Sequence, residues 1–146
     1  MKLWIAALLI MVIAGCAMEA QDREVIATPN APEAIGPYSQ AVRVGNRLYL
    51  SGQLGMVPGT GKFAEGGFEA QARQALTNQK AVLEAAGFSI ADVVQCQVFV
   101  QDMDDYKHFN GIYTEFFKED FPARAVVEVS RIPADGLVEI MMVAVR

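Results

Sequence analysis

The spacing of hydrophobic and polar residues differs between segments of the chain, and it predicts which segments form strands, helices and loops. Residues 41–44 and 47–50 are rich in strand-forming side chains and flank Gly45-Asn46, a pair typical of a tight hairpin turn. Residues 52–67 are rich in glycine and proline and predict a loop. These three segments predict a β-hairpin followed by a long connection.

Two later segments have the period of a helix. Between 68 and 86, apolar residues recur at spacings of three and four, and Gly87 follows as a natural stop. In the second segment, Asp102 or Asp104 can cap a helix that runs to Phe117. Its aromatic residues fall on one stripe: Tyr106, Phe109, Tyr113, Phe116 and Phe117. Both segments predict amphipathic helices.

Three further strands are predicted, around Cys96, at 123–129 and at 137–145. In the last of these, both faces are apolar apart from Glu139, so both faces should be buried. Two helices cover only one face of a sheet. The pattern therefore predicts an α+β domain with two helices on one face of a mixed sheet, and a second subunit on the other.

The first sixteen residues predict a lipoprotein signal peptide. Lys2 precedes an apolar run too short to span a membrane, and Ile13-Ala14-Gly15-Cys16 resembles a lipobox with Cys16 as the lipidated residue. An ordinary cleaved signal peptide is the alternative. Residues 17–24 are polar and predict a tether to a domain at 25–146.

The signal also predicts where the protein is located. Ala17, in place of Asp after the cysteine, resembles the sorting rule for the outer membrane of Gram-negative bacteria. We therefore expect a periplasmic protein that touches the membrane only through a lipid on Cys16.

The composition of the chain argues against several classes of function and of site. A net charge of −5 argues against nucleic-acid binding, which depends on basic residues. One histidine, His108, and two cysteines leave too few ligands for a zinc or iron–sulfur site and no basis for a Ser–His–Asp triad. Cys96 lies in a strand-like run and is expected to be an inert core residue.

Three polar residues occupy positions where the pattern favours apolar ones. Glu139 interrupts an apolar strand face, Arg124 begins a strand, and Asn110 falls on the aromatic stripe. A buried carboxylate has to be paired, protonated or reached by solvent, and a guanidinium suits a carboxylate ligand. Arg124 and Glu139 can also simply pair with each other across neighbouring strands, and Asn110 can be a satisfied core amide.

Short motifs along most of the chain resemble the RidA/YjgF family. They are Asn30-Ala31-Pro32, the run Ile35 to Ala41, Ser51-Gly52-Gln53, the run Gln71 to Leu76 with Asn78, the run Val98 to Met103 with Phe109-Asn110, Phe121-Pro122-Ala123-Arg124, the run Val127 to Val129, Ile132-Pro133 and Val138-Glu139-Ile140. The resemblance implies a chorismate-mutase-like fold with a mixed six-stranded sheet. It also implies a homotrimer with clefts between subunits, and no metal or other cofactor.

The resemblance further implies an activity and its residues. Active members hydrolyse enamine and imine intermediates, the 2-imino acids, to 2-keto acids and ammonia. Arg124 falls on the residue that binds the substrate carboxylate and Glu139 on the glutamate near the attacking water. The residues that line the cleft fall on Tyr38, Ser51 and Asn110.

The sequence departs from the family pattern at two positions, Val126 in place of a frequent cysteine and Met141 in place of a frequent second acid. These departures leave open a non-catalytic envelope protein that binds small carboxylates or acts as a chaperone. A ribonuclease, an activity ascribed to relatives, is disfavoured by the net acidity and the predicted export.

Overall fold

The computed structural model describes residues 22–146. The predicted signal peptide, its Cys16 and most of the tether lie outside the described residues. Eight strands and two helices follow one another in this order: β1 Arg23–Ile26, β2 Ala41–Val44, β3 Arg47–Leu54, β4 Met56–Val57, β5 Lys62–Phe63, α1 Gly67–Ala85, β6 Val93–Val100, α2 Tyr106–Phe116, β7 Ala123–Glu128 and β8 Val138–Val145.

Six of the strands form one mixed sheet in the order β1-β2-β3-β8-β6-β7. Only β6 and β7 run parallel, and every other neighbouring pair is antiparallel. The predicted α+β domain with a mixed six-stranded sheet is confirmed. β1 begins at Arg23, two residues before the predicted start of the domain, because it pairs with β2. β4 and β5 form a separate small hairpin inside the predicted loop.

Both helices pack on the same face of the sheet, where the core lies. Alternate residues of the central strands point into it, including Leu48 and Leu50 of β3 and Ile140 and Met142 of β8, all at most 1% exposed. The helices add their apolar stripes to this cluster. Gly87, with φ of 77°, ends the first helical segment as predicted.

Helix α1 is also attached to the sheet through buried amide side chains. Asn78 Nδ2 donates to the carbonyl oxygens of Leu54 at 3.0 Å and Met56 at 2.8 Å. Gln79 Nε2 donates to the carbonyl oxygen of Ser51 at 2.9 Å. Both amides are fully buried, and their bonds hold the end of β3 and the start of β4 against the helix.

The other face of the sheet, which we call the open face, is not covered by the described residues. Its apolar side chains include Val25, Tyr49, Val127 and Met141, each about 40–50% exposed. The expectation that the helices bury only one face of β8 is therefore confirmed. Within residues 22–146, neither helix is long and apolar enough to cross a membrane.

Candidate active site

Arg124 lies near the start of the edge strand β7 and points to the helix-covered side of the sheet. Its Nη2 donates to Asn110 Oδ1 at 2.7 Å and reaches the Tyr106 hydroxyl at 3.5 Å. The guanidinium carbon lies 4.5 Å from the ring centroid of Tyr113, within range of a cation–π interaction. We call these four residues, Arg124, Asn110, Tyr106 and Tyr113, the arginine half-site.

The guanidinium retains free hydrogen-bonding capacity. No carboxylate of the described residues lies within 4.0 Å of it. Its Nε and Nη1 donate to no group within residues 22–146. A planar fork with unused donors is the group that binds a carboxylate in a bidentate manner. The arginine half-site is therefore suited to anchoring a small carboxylate.

A second group of predicted residues lines a cavity of about 480 Å³ on the open face. Tyr38, Ser51 and Glu139 meet here, between the loop before β2 and the strands β3 and β8. The Glu139 carboxyl lies directly above Gly52, so close that a Cβ on Gly52 would be 1.8 Å from Oε1. We call Glu139, Gly52, Tyr38 and Ser51 the carboxyl half-site.

Backbone contacts fix the two hydroxyl groups of the carboxyl half-site. The Tyr38 hydroxyl oxygen accepts from the backbone N–H of Ile35 at 3.2 Å, which leaves its proton free for a ligand. Ser51 Oγ donates to the carbonyl oxygen of Ser39 at 2.7 Å and keeps its lone pairs. One donor and one acceptor are thus available beside Glu139.

Glu139 is half-buried, and this burial controls its protonation. Desolvation raises the pKa of its carboxyl above the ordinary value. No cation of the described residues lies within 4.0 Å to oppose that effect. A carboxyl with a raised pKa exchanges protons more readily near neutral pH than an exposed glutamate does.

Within one chain the two half-sites lie on opposite faces of the sheet. Arg124 is in register with Cys96, whereas Glu139 is in register with Phe99. Positions 96 and 99 of β6 are three residues apart, so their side chains and those of their partners point to opposite faces. The alternative that Arg124 and Glu139 pair with each other is therefore wrong, and a single chain does not bring them together.

The other candidate groups take no part in either half-site. Cys96 is buried, as predicted, and desolvation raises the pKa of its thiol to about 12, which keeps it protonated and unreactive. His108 is exposed beside Asp105 and Glu69. Residues 22–146 contain no group of three or more His, Cys, Asp or Glu side chains that could hold a metal ion.

Sequence reasoning did not assign roles to Tyr106, Tyr113 and Gly52. The two tyrosines belong to the aromatic stripe predicted for α2, but their contact with Arg124 depends on how α2 packs beside β7. Gly52 belongs to a recognised motif, Ser51-Gly52-Gln53. No side chain fits at this position, because the Glu139 carboxyl occupies the space that a Cβ would fill. The close approach occurs where the register between β3 and β8 is irregular.

Comparison with known proteins identifies the family. The family model described as endoribonuclease L-PSP matches residues 28–146. The chain belongs to the RidA/YjgF/L-PSP family. A RutC family protein of Pyrococcus horikoshii is 49% identical over 124 residues, which cover 85% of this chain and 98% of that protein.

Other relatives of this RidA-family chain have a named activity or a solved structure. A protein of Bos taurus named 2-iminobutanoate/2-iminopropanoate deaminase is 45% identical over 129 residues, covering 88% of this chain and 94% of the relative. The crystal structure of the YjgF gene product of E. coli is 48% identical, with a TM-score of 0.80, and the match covers 84% of this chain and 98% of that one. The structure of E. coli TdcF with bound serine has a TM-score of 0.81 at 40% identity, over 84% and 98% of the two chains.

Proposed function

We propose that this protein hydrolyses small 2-imino acids to 2-keto acids and ammonia without a cofactor. The observation that carries the proposal is a guanidinium with unused donors, complemented by a half-buried carboxyl of raised pKa in an open cavity. Relatives about 45% identical are named 2-iminobutanoate/2-iminopropanoate deaminases. The arrangement has the two groups that this reaction requires.

The proposed site forms between two copies of the chain in a homotrimer. Two features support this assembly: the uncovered apolar side chains of the open face, and the separation of the two half-sites within one chain. Arg124 lies on an edge strand, where it can reach across a subunit contact. In this assembly one protomer supplies the arginine half-site and its neighbour the carboxyl half-site.

The mechanism follows from these groups. Arg124 binds the carboxylate of a protonated 2-imino acid, held in place by Asn110 and the Tyr113 ring, and this fixes the C=N carbon in the cavity. Glu139 accepts a proton from a water molecule as the water oxygen bonds to that carbon. Glu139 then returns the proton to the amino nitrogen and, as the C–N bond breaks and the C=O bond forms, accepts the hydroxyl proton of the intermediate. Ammonia and the 2-keto acid leave, and the proton on Glu139 passes to solvent. The protonated imine is already electrophilic, so no covalent nucleophile is required.

The proposal is tested by generating 2-iminopropanoate from alanine with an amino-acid oxidase and trapping the residual imine with semicarbazide. The protein should accelerate imine decay. Arg124→Ala should lower kcat/KM by about 100-fold, since the carboxylate loses its bidentate anchor and orientation is lost. Arg131→Ala is the matched control, because Arg131 is exposed and contacts only Asp135, and it should retain full activity.

Equal decay with and without protein would end the hydrolase proposal. Pyruvate binding that raises the melting temperature without any turnover would instead identify a non-catalytic carboxylate-binding protein. The departures at Val126, half-buried on the face of Arg124, and at Met141, in the cavity, are the features that favour this second function.

We also propose that the chain is an exported lipoprotein located in the periplasm and attached to the outer membrane through Cys16. The support is the sequence Ile13-Ala14-Gly15-Cys16 after an apolar run, with Ala17 following. Radiolabelled palmitate should be incorporated into the wild-type protein and not into Cys16→Ser. A protein that carries no label and fractionates with the cytoplasm would contradict the proposal.

A further inference from the structure

Strand β3 contains a β-bulge beside the carboxyl half-site. The register with β8 shifts between Leu50 and Gln53, where two residues of β3 lie opposite one residue of β8. A bulge changes the direction of the side chains next to it, and here both flanking residues, Leu50 and Gln53, are buried. The two residues between them, Ser51 and Gly52, therefore both lie on the open face, where Gly52 is directly below the Glu139 carboxyl.

Gln79 of α1 binds both strands at this bulge, from the helix-covered side of the sheet. Its side-chain nitrogen, Nε2, donates to the carbonyl oxygen of Ser51 on β3 at 2.9 Å and also to the carbonyl oxygen of Ile140 on β8. A bulge disrupts the backbone hydrogen bonds between strands locally, so buried carbonyl oxygens there need other donors. The amide nitrogen has two N–H groups, one for each strand. Gln79 thus links β3 to β8 next to Glu139.

The core is an unfavourable place for the Gln79 amide apart from these two bonds. The side chain is fully buried, and its Oε1 accepts no hydrogen bond within residues 22–146. A buried acceptor without a donor lowers stability. An apolar side chain of the same length would fill the space without that loss. The amide group therefore contributes through its bonds to the bulge and not through core packing.

We propose that Gln79 is a positioning residue for Glu139. One of the carbonyl groups that it binds belongs to Ile140, which follows Glu139 in β8. The other belongs to Ser51, which precedes Gly52 in β3. Holding both carbonyl groups in place keeps the Glu139 carboxyl over Gly52. This inference rests on the proposed imine hydrolysis, in which Glu139 accepts a proton from the attacking water.

Removal of the amide should slow the reaction and leave ligand binding intact. Gln79→Met keeps the length of the side chain and has no donor, so the Glu139 carboxyl should shift from its place over Gly52. A misplacement of about 1 Å can cost about 100-fold in rate, and we expect kcat for 2-iminopropanoate to fall about 10- to 100-fold. Pyruvate should bind the full-length variant within about twofold of wild type by calorimetry, because Arg124 anchors the carboxylate from the other half-site.

Two further variants separate positioning from a general loss of stability. Gln79→Glu, protonated in its buried position, keeps one donor in place of two, so its kcat should lie between those of Gln79→Met and wild type. It also serves for the comparison if Gln79→Met does not fold. Val82→Ala is the matched control, because Val82 is fully buried on the same helix and contributes only packing. It should lower the midpoint of urea denaturation and leave kcat unchanged.

Titration of the Glu139 carboxyl gives a measurement that does not depend on turnover. Carbon-13 NMR of the full-length protein follows its protonation, and Tyr38 is the only other ionisable side chain that the described residues place in the cavity. Burial raises the pKa of Glu139 in the wild-type protein. In Gln79→Met the carboxyl is freer to reach solvent, so its pKa should fall towards the ordinary value, whereas Val82→Ala should leave it unchanged.

The two measurements also distinguish this inference from the proposed function. If the wild-type protein hydrolyses imines, an unchanged kcat or an unchanged Glu139 pKa in Gln79→Met would overturn the positioning role alone. An equal loss of kcat in Val82→Ala would overturn it too, because lost stability would then explain the effect. A lowered Glu139 pKa in Gln79→Met, in a protein that hydrolyses no imine, would support the positioning of Glu139 and refute the hydrolase.

Discussion

At the scale of single residues, the site depends on two ionisable groups, Arg124 and Glu139, that form no ion pair within the described residues. Arg124 is positioned by an amide oxygen and an aromatic ring, neither of which consumes its charge. The Glu139 carboxyl occupies space over Gly52 that is free only because glycine has no side chain. Both residues therefore keep the capacity to act on a ligand.

The contact between Gly52 and Glu139 predicts a sensitive position. Gly52→Ala places a Cβ where the carboxyl lies, so the carboxyl must move or the strands must separate. We expect the free energy of unfolding to fall by about 1–3 kcal/mol and hydrolysis to be lost. Chemical denaturation and the semicarbazide assay measure the two effects.

Gly111→Ala provides the matched control for this substitution. Gly111 lies within α2, and a Cβ there meets nothing within 4 Å. The change should stabilise the protein by about 0.5–1 kcal/mol, because alanine is the better helix former. A neutral Gly52→Ala would mean that the carboxyl is not held in the observed position.

Burial of Glu139 also predicts how stability depends on pH. Its folded-state pKa is raised, so the stability it contributes is fully present below the ordinary pKa of 4.5 and is lost as pH rises through the raised value. The free energy of unfolding of wild type relative to Glu139→Gln should therefore decrease over that window. Denaturation of both proteins at equal protomer concentration measures the difference. A relative stability that increases with pH would show that a cation stabilises the carboxylate instead.

The site residues that the apolar pattern reveals are those whose polar side chains interrupt it. Arg124, Glu139 and Asn110 stand out in this way, and the structure places Arg124 and Asn110 together in one half-site and Glu139 in the other. The close contact between Gly52 and the Glu139 carboxyl could not be predicted from the sequence. It depends on the pairing of β3 with β8, whose register shifts between Leu50 and Gln53.

At the scale of elements, α1 determines where the carboxyl half-site lies. Its buried Asn78 and Gln79 bind carbonyl oxygens of β3 and of the segment after it, so the helix fixes the strand that carries Ser51 and Gly52. The helix is therefore a positioning element for the cavity as well as a cover for the core.

Loss of the Asn78 amide should destabilise the fold. Asn78→Ala leaves the carbonyl oxygens of Leu54 and Met56 buried without this donor, which should lower the free energy of unfolding by about 2–3 kcal/mol. Thr77→Ala, next to it on the exposed side of α1, should change the stability by less than about 0.5 kcal/mol. Urea denaturation compares the two, and equal effects would show that the Asn78 bonds contribute little.

Periodicity predicted the long elements and failed for the short ones. The helix ending before Gly87 and the hairpin at Gly45-Asn46 follow from apolar spacing and turn chemistry. β4 and β5 have two residues each, too few for a period to be detected. Asn78 and Gln79 are buried although polar, and composition alone does not reveal that their amide N–H groups donate to strand carbonyl oxygens.

At the scale of the whole molecule, the described residues leave the open face uncovered and the two half-sites separate. The open face retains exposed apolar residues, and each half-site lacks the group that the other supplies. The uncovered face is predicted from the sequence, because β8 is apolar on both sides and two helices cover only one of them. The placement of Arg124 and Glu139 on opposite faces was not predicted, because it requires the register of the parallel β6–β7 pair. The homotrimer that we propose would complete both surfaces with one closed symmetry.

Mixed trimers test the shared site most directly. Arg124→Ala and Glu139→Gln are each expected to retain about 1% of the wild-type activity or less. The two variants are co-expressed with different tags so that mixed trimers can be purified. In a trimer that contains both variants, in either ratio, one of the three subunit contacts combines an intact Arg124 from one protomer with an intact Glu139 from its neighbour. The account predicts imine hydrolysis at about a third of the wild-type rate. Mixed trimers that remain as inactive as the two parent variants would contradict it.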